Sequence, residues 1–205
     1  MLEVKAFTTA GRGYQRRRRR TDALSFARHG WPVLPGTRWN GIRYVRPDSM
    51  AAVDGIRPTV PSELATTDLT QIKAWWSAYP YSVVLCSGTA FALLSVPGRW
   101  AVRATRQPAL RRDPAPVVGH PNGVAYFLIS PTAMLLPGLR VLSTPDNVVT
   151  LWEPGGWVAA PPTRTAGGNL MWLVPPTLSG WQPGHSRVVQ ETLVSTHIGV
   201  GHPHR

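Results

Sequence analysis

Cysteine is nearly absent: Cys86 is the only one in 205 residues. That excludes an internal disulfide framework. Cys86 lies in the apolar run YSVVLCSG, where a buried, reduced thiol is expected. Acids are scarce too, ten against 22 Lys and Arg. Chemistry that needs a shell of carboxylates has few to draw on. Lysine occurs only at Lys5 and Lys73, so the positive charge is almost wholly arginine. No apolar run approaches the ~20 residues that a membrane helix needs. No apolar core follows the N-terminal charges, so no secretory signal is read. The basic block Arg16 to Arg20 leads into TDALSFARH, which is amphipathic and charged, unlike the apolar segment of a twin-arginine leader. A cytoplasmic location without membrane contact is expected. No Gly-x-Ser-x-Gly elbow, P-loop or solenoid-length repeat occurs.

What is present is charge of one sign and a core. The formal net charge is +12. Such a field favours polyanions and speeds encounter with nucleic acid. An arginine-rich composition inherited from a GC-rich genome produces the same excess without any partner. The chain is 43% hydrophobic with nine Trp, enough to bury a sizeable core in one domain.

Residues 1–20 read as a disordered Arg-rich arm, because a like-charge block repels itself. A helix is expected over 21–29, capped by Thr21 or Asp22 and ended by Gly30. WPVLPG reads as a short strand, and 37–64 as a long loop without a period. ATTDLTQIKAWW is the clearest helix, with Asp68 and Gln71 at capping-box spacing. Its Leu69, Ile72, Trp75 and Trp76 share a face, so both Trp are read as core and not as a base-stacking platform. Three strand pairs follow, turning at 87–90, at Pro121-Asn122-Gly123 and at 153–156, with a helix over GRWAVRATRQ that stops before Pro108. NLMWLVP is a last strand, and 176–205 reads as a poorly ordered Pro/Gly/His-containing tail. The class is α+β with a largely antiparallel sheet and a few flanking helices.

Three stretches together resemble one family. RHGWPVLPG after a helix, ATTDLTQIKAWWSAYP before a strand pair, and GGWVAAPPT near the end are similar to the bifunctional DNA primase/polymerase N-terminal (prim-pol) domain. That is a branch of the archaeo-eukaryotic primase superfamily. Order and spacing match across 21–175. The resemblance implies an RRM-like sheet holding a two-metal nucleotidyl-transfer site that uses Mg or Mn. It also implies an Asp-x-Asp or Asp-x-Glu pattern at the end of FALLSVPG, a His in the strand that carries the Tyr-Phe pair, and a third acid before GGWVAAPP. In this chain those positions hold Ser95 and Pro97, Val124, and Thr150.

Two divalent ions about 4 Å apart require hard oxygen donors. The hydroxyls of Ser95 and Thr150 are neutral, and Pro97 supplies no ligand. Glu153 stands at an odd offset from Thr150, which in an extended strand faces the opposite side. Asp146 follows a proline in a turn, and Asp113 lies in the polar stretch after Pro108. No catalytic or metal-ligating residue is assigned, and no cofactor is expected.

The binding candidates are arginines: Arg16, Arg17, Arg18, Arg19 and Arg20, and the set Arg99, Arg103 and Arg106. The latter three fall on one helix face, either as a solvated surface or as a phosphate-contacting stripe. His185, His197, His202 and His204 are read as tail residues and His120 as a loop residue. The leading expectation is a prim-pol-type domain that lacks catalysis and retains nucleic-acid or nucleotide binding, or serves as an interaction module. Single-stranded DNA and a separate helicase or replication protein are the partners considered. The alternatives are an active polymerase with displaced ligands, and a structural or regulatory protein without a nucleic-acid partner.

Overall fold

The computed structural model describes residues 17–198. Helix α1 (17–28) ends where Gly30 takes a positive φ of 79°, as its position after the amphipathic run predicts. Its apolar face buries Ala23, Leu24, Phe26 and Ala27. Helix α2 (Leu69–Ala78) starts at Asp68, whose carboxylate accepts the Thr70 N–H at 2.7 Å. Ile72 and Trp76 are fully buried, and the Trp76 indole N–H donates to the Tyr81 carbonyl. Both Trp of this helix belong to the packing, Trp75 as a half-buried neighbour of the core.

Two antiparallel sheets carry the fold. The first has three strands in the order β1 (Val33–Gly36), β5 (Ser82–Cys86), β10 (Trp157–Ala159). The second has five, in the order β13 (Met171–Val174), β7 (Val117–Gly119), β8 (Val124–Ile129), β6 (Ala92–Pro97), β9 (Thr150–Trp152). Helices α3 (Gly98–Thr105), α4 (Pro108–Arg112), α5 (Pro137–Leu142) and α6 (Ser186–Ile198) cover one face of the larger sheet. There Leu94, Val96, Ala125 and Phe127 pack against Trp100, Ala104, Val189 and Leu193. The opposite face, through Leu93, Leu128 and Val118, joins α1, α2 and the inner side of the three-stranded sheet in the main core. The class is α+β, as composition and pattern predict.

The β7–β8 hairpin forms at Pro121-Asn122-Gly123, where Gly123 has φ 86°. The other two expected hairpins do not form. β5 pairs with β1 and β10, while β6 pairs with β8 and β9, so the chain crosses between sheets at 87–91. The segment between β9 and β10 crosses back beside it. The two crossings are tied together: Ser87 N–H donates to Gly156 O at 2.7 Å, and Gly155 N–H to Ser87 O at 3.0 Å. The Ser87 hydroxyl completes the tie to the carbonyls of Glu153 and Gly156. β5 is buried throughout and β6 nearly so, which suits central strands flanked on both edges better than a two-stranded ribbon.

Three other expectations change. The 37–64 stretch holds a small sheet of β2 (Arg38–Trp39), β3 (Tyr44–Val45) and β4 (Ala52–Val53) and a short 3-10 turn. Two-residue strands are too short to print a period. Of the N-terminal arm, residues 17–20 are helical and belong to α1, while Arg16 and everything before it lie outside the described residues. Arg19 is only 8% exposed and donates to the Pro80 carbonyl at 3.0 Å. The stretch read as a poorly ordered tail contains α6. Val189 and Leu193, four residues apart, bury against the sheet, and Gln190 bonds Met134 O and Leu136 N–H. Pro and Gly flank this helix without entering it, and His197 continues its inward stripe one turn beyond Leu193.

Candidate functional site

Opposed residues of an antiparallel pair, and residues two apart on one strand, share a sheet face. Ser95 stands opposite Tyr126 on one side and Thr150 on the other. Pro97 stands opposite Val124. Ser95, Pro97, Val124 and Thr150 therefore occupy one face at the ends of three adjacent strands. Trp152, two residues beyond Thr150, joins them.

The face is half-buried, with Ser95 its most enclosed side chain. Ser95 is 6% exposed. Its hydroxyl accepts the Trp152 indole N–H at 3.1 Å and donates to the Thr150 carbonyl at 3.4 Å. The Tyr126 and Trp152 rings lie 6.5 Å apart. Burial raises the Tyr126 hydroxyl above the ordinary tyrosine value, so it stays protonated. None of these six side chains carries a charge. Sequence reasoning does not single out Trp152, although the alternation from Thr150 places it there.

At the tip of β6 the chain turns directly into α3. Gly98 N–H donates to Gly123 O, and a Cβ on Gly98 would stand 2.9 Å from that oxygen. Only glycine allows the strand tip and the β7–β8 turn to meet so closely. In that turn, His120 Nδ1 accepts the Asn122 N–H at 3.1 Å. Burial holds the imidazole below its usual value, against an opposing hydrogen bond with Asn122.

The residues present do not fit a pair of divalent ions. The face offers one buried hydroxyl already bonded twice, a second hydroxyl, a pyrrolidine ring and an isopropyl group. Glu153 and Asp146 are exposed in turns, and Asp113 is exposed at the end of α4. Among the described residues no three His, Cys, Asp or Glu side chains gather as ligands. His185 is exposed, and His197 packs on Trp100 with ring centroids 4.4 Å apart. His202 and His204 lie outside the described residues.

The arginines divide. Arg99 and Arg103 on α3 and Arg106 at its C-cap are exposed, opposite the buried Trp100, Ala101 and Ala104. Arg99, next to the strand tip, bonds the Asn147 side chain ahead of β9. Arg17, Arg18 and Arg20 are exposed on α1, and Arg20 reaches the Ser77 hydroxyl at 3.4 Å. Arg19 is buried, which a solvated charge block would not predict.

Comparison with curated proteins and with solved structures gives no match. The sequence model of one family, described as bifunctional DNA primase/polymerase, N-terminal, matches residues 23–185. That span contains both sheets and the face around Ser95, and it takes in most of the chain. The chain belongs to the bifunctional DNA primase/polymerase N-terminal (Prim-Pol) family.

Proposed function

We propose that this Prim-Pol domain does not transfer nucleotides and works as a nucleic-acid-binding module. The observation that carries the reading is the chemistry of one sheet face. Ser95, Pro97, Val124 and Thr150 meet there, all are neutral, and the Trp152 indole occupies the one buried hydroxyl among them. Two dications beside a triphosphate need several carboxylates to offset their charge, and these four positions supply none. The binding half of the proposal is supported by the family, by the net charge of +12, and by the exposed Arg99, Arg103 and Arg106 beside the strand tip.

The test has two arms. The full chain is given a primed template, dNTPs and Mg²⁺ or Mn²⁺, and its binding to single-stranded DNA is measured across salt. The expected result is no primer extension together with binding that weakens steeply as salt rises. Extension that depends on the metal would restore the polymerase. Absence of any salt-sensitive binding would replace the nucleic-acid role with a protein-interaction role.

A further inference from the structure

A second site lies where α1 meets the hairpin of β11 (Arg164–Thr165) and β12 (Gly168–Asn169). A cavity of about 600 Å³ opens there, lined by Arg18, Arg19, Arg164, Asn169 and Leu170 among others. We propose that it is a phosphate-binding pocket, taking either the terminal phosphate of a nucleic-acid strand or the phosphates of a free nucleotide. The pocket itself stands on its own geometry; only the strand as carrier rests on the nucleic-acid reading above.

Arg18, Arg19 and Arg164 all line the cavity, and among the described residues no acidic side chain lines it. Among the same residues, no carboxylate forms an ion pair with Arg18, Arg19 or Arg164. Arg19 is the central group. It is more than nine-tenths buried, and its Nη1 donates to the Pro80 carbonyl. A guanidinium has five N–H donors in a planar fork, so one carbonyl bond leaves donor capacity for an anion. Burying a cation without an anion is costly. Burial first, and then the nearby Arg38 cation, pull the Arg19 value down to about 10. The closest acid on the same helix, Asp22, does not relieve this. Burial pushes its carboxyl up against the pull of Arg18, and its Oδ2 is buried without a partner among the described residues.

The walls are held in place. The hairpin is closed by the Thr165 hydroxyl donating to Gly168 O at 2.9 Å. Ala166 N–H donates to the Tyr44 hydroxyl at 2.9 Å, which pins the hairpin to the small β2–β3–β4 sheet. Leu170 and Pro162 add apolar wall, and Leu170 belongs to the main core. Three arginines around one cavity, one of them buried and held by a backbone carbonyl, suit the tetrahedral oxygens of phosphate. The volume lies within the general range of small-molecule sites.

The experiment uses the full chain, with pyrophosphate as the first probe. Pyrophosphate should bind by calorimetry and raise the melting temperature progressively with its concentration. The double variant Arg18→Ala/Arg164→Ala removes two exposed side chains. It should bind pyrophosphate at least about tenfold more weakly while melting unchanged in the absence of ligand. Arg19→Lys keeps the charge but loses the fork, and should weaken binding without unfolding the protein. The second probes are a 5′-phosphorylated oligonucleotide, its 5′-hydroxyl counterpart and a free dNTP. Preference for the 5′-phosphate, abolished in the double variant, identifies a strand terminus. A dNTP that competes with pyrophosphate identifies a free nucleotide. Pyrophosphate binding with neither oligonucleotide bound supports the pocket and overturns the nucleic-acid role. Absence of pyrophosphate binding, or binding unaffected by the double variant, overturns the pocket.

Discussion

At the residue scale, the proposed loss of metal chemistry turns on Ser95 and its bond to Trp152. A carboxylate at 95 would lose most of its hydration, because the residue is 6% exposed. It would also displace an indole N–H that now donates to the hydroxyl at 3.1 Å. The combined substitutions Ser95→Asp, Pro97→Asp and Thr150→Asp therefore place three like charges on one face. Without metal, the triple variant should lose on the order of 3 kcal/mol of stability, the scale for an uncompensated buried charge. Millimolar Mn²⁺ should return most of that loss, because a dication offsets the carboxylates and binds only the folded state. Denaturant unfolding with and without Mn²⁺ measures both effects. Loss of stability with no recovery in metal would show that the three positions do not converge as the strand register indicates.

At the scale of elements, α6 decides how firmly the Arg stripe is held. It packs against α3, α4 and α5, and Val189 and Leu193 are fully buried between the helices and the sheet. α3 contributes Trp100, Ala101 and Ala104 to the same layer, which turns Arg99 and Arg103 outward. Leu193→Ala should cost about 3 kcal/mol, since the side chain has no exposure and its neighbours belong to packed helices and strands. Urea unfolding reads this as a lower midpoint at unchanged slope. A change under about 1 kcal/mol would mean that α6 is not a docked part of the domain.

For the whole molecule, the relevant quantity is the field of +12 and where it is fixed. Arg19 is part of the packing, so deleting residues 1–20 would remove a helical turn along with charge. The stripe is better tested in the full chain. Each phosphate of a single strand that a cation neutralises adds about 0.7 to the salt slope. Replacing Arg99, Arg103 and Arg106 by Ala should then reduce the slope by up to about 2, with little change in stability because all three are exposed. An unchanged slope would make the stripe a solvated face and leave DNA binding to other arginines.

Local patterns in the chain determined much of this protein. Apolar spacing marked α1 and α2, Pro108 marked the end of α3, the Pro-Asn-Gly turn marked the β7–β8 hairpin, and Asp68 marked a helix start. The identity of Ser95, Pro97, Val124 and Thr150 is sequence information as well, and so is the neutrality of those four positions. Each signal spans a few residues, within reach of a side-chain period or one turn. Strand partnership is different. β6 takes β9 as a neighbour across 55 residues, as the Ser95–Thr150 bond shows, while β5 turns away to β1 and β10. Both arrangements satisfy the same apolar runs, so the choice rests on how two sheets and their helices fill one core. The α6 stripe was present in the sequence but lay between Pro- and Gly-rich flanks, and burial against the sheet is what makes it a helix of the domain. The arginine cavity exists only in three dimensions. Arg18 and Arg19 meet Arg164 because α1 and the β11–β12 hairpin pack at the same edge, a juxtaposition with no local trace in the chain.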